Sequence, residues 1–130
     1  MAPGFSRYIG IDYSGAQVPT AGLKGLRVYL AAPRQPPAEV LPAASPGKFW
    51  TRRGVAEWLL PALAQEIPTL VGIDHAFSFP LQYFERYGLA PDWGAFLDDF
   101  QRHWPSDQDH TSVDLIRAGA AGNGAARTGS

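Results

Sequence analysis

The stretches "YIGIDYSGA" (residues 8–16) and "LVGIDHAFSFP" (residues 70–80) decide how this chain is read. Each runs an apolar, β-rich segment into Gly-Ile-Asp, so that a carboxylate stands where the strand stops. Side chains alternate along a strand, which puts Gly10 and Asp12 on one face and Ile9 and Ile11 on the other; Gly72 and Asp74 repeat the arrangement against Val71 and Ile73. Each aspartate therefore has an empty position two residues before it on its own face. If the two strands are adjacent and parallel, Asp12 and Asp74 are neighbours at the carboxyl ends of strands about 4.8 Å apart, where open α/β sheets bind ligands.

The segments around these strands set the fold class. Leu26, Val28 and Leu30 alternate with Arg27 and Tyr29, which predicts a strand over 26–31 that pairs with the first as a long hairpin turning near Ser14-Gly15. Residues 32–48 carry five prolines and so permit only an edge strand, expected around Glu39 to Leu41. Thr51 can cap a helix whose Val55, Trp58, Leu59, Ala62 and Leu63 share a face, kinked at Pro61 and ended by Pro68. Thr69 to Ile73 is nearly continuous in apolar residues, as a parallel strand covered on both faces would be. A further helix is expected from Asp92 to Trp104, with Trp93, Phe96, Leu97, Phe100 and Trp104 as its stripe and Asp98, Asp99, Gln101 and Arg102 as its wet face. Phe77, Phe79, Tyr83, Phe84 and Tyr87 read as core beside it. His75 alternates away from Asp74, toward core or helix. From Ala118 onward no large apolar residue is left to bury, which predicts one domain over 1–117 and a flexible Gly/Ala-rich tail over 118–130.

Composition narrows the function classes. The 130 residues are 45% hydrophobic, enough for one core, and the formal net charge of -1 supplies no global field to draw in nucleic acid or an anionic membrane. There is no cysteine, so disulfides and thiolate metal sites are excluded. No segment approaches the ~18 apolar residues of a membrane span. A soluble cytoplasmic protein without a membrane partner is the expectation.

The doubled motif has a chemical consequence. Two ionised carboxylates about 4 Å apart repel by roughly 4 kcal/mol at an effective dielectric constant of 20, so they share a proton or hold a cation. Oxygen ligands without cysteine favour Mg²⁺ or Mn²⁺, ions that can clamp the attacking and leaving oxygens of a phosphodiester displacement. Around this pair, Ser14 and the cluster Lys48, Arg52 and Arg53 at the start of the first helix are candidate phosphate contacts. The string "HWPSDQDHTSVD" (residues 103–114) matches no compact ligand set and reads as a loop.

Hairpin, proline-tolerant edge strand, helix and Asp-ended strand, in that order, resemble the ribonuclease H-like fold. More narrowly, "IGIDYSGA", "WTRRGVAEWL" and "GIDHAFSFP" resemble a group of bacterial proteins described as predicted ribonuclease H-like nucleases, over about residues 7–104. The resemblance implies an α/β mixed sheet with flanking helices, with Asp12 and Asp74 as metal ligands acting on nucleic acid. Glu57 then takes the place of the helix glutamate as a third catalytic carboxylate, although on an ideal helix it points away from the apolar stripe. That fold normally adds a last strand and helix, so the resemblance also implies a truncated domain whose Asp74 strand leaves an edge open to self-association. Two other readings stay open: an ATP-binding domain of the actin and sugar-kinase type, against which Tyr13-Ser14-Gly15 reverses the usual order, and a non-catalytic remnant serving as an interaction module.

Overall fold

Ile9 and Ile11 seed the fold, because two β-branched side chains on one face of a strand must be covered from that side. In the computed structural model, which describes residues 4–43 and 48–128, they are 2% and 3% exposed. The strand that carries them, β1 (Arg7–Asp12), pairs antiparallel with β2 (Arg27–Ala32), which pairs antiparallel with β3 (Gln35–Val40). A helix, α1 (Arg52–Ala64), leads to β4 (Thr69–Ile73), which returns parallel to β1. The sheet order among the described residues is β3-β2-β1-β4. Four helices follow: α2 (Leu81–Tyr87), α3 (Trp93–His103), α4 (Val113–Arg117) and α5 (Gly124–Thr128). This is a mixed α/β chain, and no helix among the described residues is long and apolar enough to cross a membrane.

The chain gathers into two compact units. One comprises the chain through Gly15 and Thr20–Asp74; the other comprises Ala16–Pro19 and the chain from His75. In the first, the inner face of the sheet presents Ile9, Ile11 and Val28 to Leu23, Leu26, Trp50 and Val55, with Trp58 and Leu59 of α1 packed against them. β3 lies earlier than expected and contains Pro36 and Pro37, which an edge strand tolerates because one side of its backbone needs no ladder partner. The Trp50 indole donates to the Val40 carbonyl at 2.8 Å and ties that edge to the segment entering α1. Residues 44–47 of the proline-rich connection lie outside the described residues.

Thr51 caps α1 as its sequence predicts, its hydroxyl accepting from the Gly54 N–H at 2.8 Å. A Cβ on Gly54 would stand 3.0 Å from that hydroxyl oxygen and 3.6 Å from the Trp50 ring, so a side chain there would push the capping hydroxyl aside by a few tenths of an ångström. The helix runs through Pro61. Beyond it, Arg7 joins three elements: its guanidinium donates to Thr69 Oγ1 at 3.0 Å, to Gln65 Oε1 at 2.6 Å and to the Ala62 carbonyl at 2.5 Å. β4 is covered on one face only; Leu70 is 49% exposed, whereas Val71 and Ile73 are half-buried, which corrects the expectation of a strand buried on both sides.

The second unit is built on aromatic rings. Phe79 lies 4.8 Å from Tyr83, 5.5 Å from Phe96, 5.9 Å from Phe100 and 6.1 Å from Trp104, centroid to centroid, so the expected stripe of α3 is a core, although Trp93 and Leu97 remain exposed. Asp92 caps α3 by accepting from the Ala95 N–H at 2.9 Å. Asp99, expected on the wet face, is instead buried. The Tyr83 hydroxyl donates to its Oδ2 at 2.7 Å and Arg127 Nη1 to its Oδ1 at 2.6 Å; Arg127 also lies 4.2 Å over the Tyr87 ring. Burial is the main cause that raises the Tyr83 hydroxyl above its ordinary pKa. Arg127 belongs to α5, so the tail expected to be flexible carries the cation that neutralises a buried carboxylate. Residues 129 and 130 of that tail lie outside the described residues.

Candidate functional site

The parallel register brings the two Gly-Ile-Asp copies together. Gly10 faces Gly72 and Ile11 faces Ile73 across β1 and β4, and beyond the last pair the Asp74 N–H donates to the Ile11 carbonyl at 3.2 Å. Asp12 and Asp74 are therefore neighbours at the carboxyl ends of adjacent parallel strands. Both are exposed, on the face opposite Ile9 and Ile11.

That outer face is ordered in rows. Asp12 is the antiparallel partner of Arg27, Gly10 that of Tyr29, and Tyr8 that of Ala31. On the other side Tyr8 faces Leu70 and Gly10 faces Gly72. One row thus reads Arg27, Asp12, Asp74; the next Tyr29, Gly10, Gly72; the third Ala31, Tyr8, Leu70. Arg27 is engaged by Glu39 of β3, its Nε and Nη2 donating to the two carboxylate oxygens at 2.8 Å each. It also lies 5.6 Å from the centroid of the Tyr29 ring. The hydrogen bond to Glu39 is the largest cause holding the Arg27 guanidinium above its ordinary pKa, the Glu39 charge adds to it, and the Asp12 charge contributes last. Conversely, that bond holds the Glu39 carboxyl below the usual carboxylate range. Arg27 is thus engaged chiefly by Glu39 and only weakly by Asp12.

The other expected members of the site lie elsewhere. Glu57 is exposed on α1, where it lines a groove of about 740 Å³ with Arg53, Trp58, Phe49, Leu41 and Thr20. Neither Asp12 nor Asp74 lines that groove. Among the described residues no three His, Cys, Asp or Glu side chains come together as a metal-holding group, so the triad of Asp12, Asp74 and Glu57 is not gathered. The physical reason is strand parity: α1 covers the face of Ile9 and Ile11, whereas the aspartates alternate to the opposite one. Arg52 and Arg53 are half-buried in the first turn of α1, and Ser14 is half-buried just beyond β1. His75 is exposed, its ring 5.2 Å from that of Phe77, rather than buried against core or helix.

The sequence reading missed Arg27, Glu39, Tyr8 and Tyr29 as surroundings of the aspartates. Alternation already placed Arg27 and Tyr29 together on one face of their strand. Only the register, which no local pattern carries across a 14-residue connection, sets them beside Asp12 and Gly10. Compared with protein-family models, with curated proteins and with solved structures, the chain matches none.

Proposed function

We propose that Asp12 and Asp74 hold a divalent cation, Mg²⁺ or Mn²⁺, and that the chain acts on phosphodiester bonds as a ribonuclease H-like domain. The observation that carries this reading is the register: two carboxylates side by side at the ends of parallel strands. The donor set fits the ion. Mg²⁺ is commonly bound through one or two carboxylates, with water and substrate phosphate oxygens completing its shell, so two aspartates suffice without an all-protein cage. Arg27 offsets the charge of the pair only in part, because its guanidinium is engaged first by Glu39.

A cation bound there supplies the positive charge that a phosphodiester needs as negative charge develops on it. The chain's own residues do the rest. Asp12, the last residue of β1, and Asp74, the first after β4, fix the position from which that charge acts. Gly10 and Gly72 leave the backbone open beside the pair, so that a substrate can approach. The strand order supports the fold assignment, with a hairpin, an edge strand, a helical connection and a parallel return.

The test is Mn²⁺-dependent cleavage of end-labelled single-stranded and duplex oligonucleotides. Cleavage by the parent and its loss in Asp12→Asn and in Asp74→Asn supports the proposal; equal cleavage by parent and variants overturns it. A second reading, a non-catalytic interaction module, is favoured by the lack of a third carboxylate beside the pair among the described residues. It predicts no cleavage under any metal.

A further inference from the structure

We infer that the outer face of the sheet in the first unit is a binding trough for the base of a nucleotide whose phosphate is directed toward Asp12 and Asp74. This rests on the cation site proposed above and names the substrate class it serves. The trough has a volume of about 400 Å³ and is walled by Tyr8, Tyr29, Leu70 and Pro37 over a floor of Gly10 and Gly72. That volume lies within the range of small-molecule sites and suits one planar ring system with its sugar.

Three observations select the occupant. The first is the glycine pair. Glycine weakens a strand interior, and it is retained where a fold needs close packing or where a ligand approaches the backbone. Here a Cβ built on Gly10 or on Gly72 meets nothing within 4 Å, so packing within the fold requires neither glycine. The two bare positions face each other in register and so leave the backbone open to a ligand at one spot.

The second is the lining. A ring on the bare floor meets the Tyr29 side chain in its own row and Tyr8 and Leu70 in the next, apolar and aromatic surfaces that stack on any base without reading its edge. The third is polarity along the trough. The row beyond the glycines is Arg27, Asp12 and Asp74, so a molecule whose apolar end lies against Tyr8 and Leu70 extends its other end to the carboxylates. A bare anion is repelled there. A phosphate accompanied by a divalent cation is not, and a nucleoside phosphate has such an end about one ribose away from its ring.

The test uses the full chain, ¹⁵N-labelled, with adenosine and adenosine 5′-monophosphate as probes, each with and without Mg²⁺. Adenosine reads the ring contact without the cation; it should shift the amides of Gly10, Tyr29 and Gly72. The monophosphate with Mg²⁺ should bind at least tenfold more tightly. A Cβ at either glycine meets nothing within 4 Å, so Gly10→Val and Gly72→Val are expected to fold, which the dispersion of their ¹⁵N spectra checks; they should weaken both probes at least tenfold and leave Mn²⁺ affinity within twofold of the parent. Amides that do not move with either probe, or variants that bind the monophosphate as the parent does, overturn the trough. Shifts at these amides that follow protein concentration rather than ligand also overturn it, and assign the face to a second copy of the chain. If adenosine binds but Mg²⁺ adds nothing, the cation site fails and the ring contact stands.

Discussion

Removing the charge of Asp12 and Asp74 singly and together measures how close the two carboxylates are. The parallel register sets their strands about 4.8 Å apart. Both side chains are exposed, so a dielectric constant near that of water applies, and the Coulomb energy of two unit charges at that distance is about 0.9 kcal/mol. The roughly 4 kcal/mol suggested by sequence alone belongs to a more enclosed pair. Asp74→Asn should therefore stabilise the metal-free first unit by about 0.9 kcal/mol at low ionic strength. Asp12→Asn should gain less, because Asp12 also attracts Arg27. The double variant should fall short of the sum by about 0.9 kcal/mol, a coupling that roughly halves at 0.15 M salt, where the Debye length is about 8 Å. Native-state hydrogen exchange of the β1 and β4 amides isolates the first unit from the second. Additivity within about 0.2 kcal/mol at 10 mM salt would show that the carboxylates diverge, and would refute the reasoning.

Other consequences follow from the same geometry. Ile9→Ala removes a side chain that is 2% exposed and should cost about 2–5 kcal/mol by the same exchange measurement; a loss under 1 kcal/mol would contradict the assigned core. Thr51→Ala removes the cap of α1 and should cost about 1 kcal/mol, with Thr51→Ser retaining most of the stability. Glu39 titrates below its ordinary value in the folded chain, so the stability it contributes is fully present above the unfolded-state pKa and is lost as pH falls through the folded one. Carboxyl-detected NMR should find that Arg27→Gln moves the Glu39 titration upward; an unmoved titration would show that the pair does not form in solution.

Much of the first unit was legible because its signals are local. The alternation around Ile9 and Ile11, the Thr51 cap and the Gly-Ile-Asp strand ends each depend on neighbours within a few residues. The adjacency of β1 and β4 needed only the assumption that like strands pair in parallel. What escaped depends on contacts far apart in sequence. Asp99 looks like a solvated helix residue until Arg127, 28 positions later, arrives to pair with it, and the small residues around Arg127 hid that partnership. Glu57 is the reverse case. Parity alone places Asp12 opposite the core face that α1 covers, so its separation from the aspartates was implicit in the alternation but obscured by the order of the elements.

The central claim is that Asp12 and Asp74 jointly hold a divalent cation, and Mn²⁺ binding followed by electron paramagnetic resonance tests it most directly. Saturable binding of one ion per chain is expected in the parent, weakened at least tenfold by Asp12→Asn and by Asp74→Asn and unchanged by Glu57→Gln. Binding that survives both aspartate substitutions, or no binding at millimolar Mn²⁺, would contradict it.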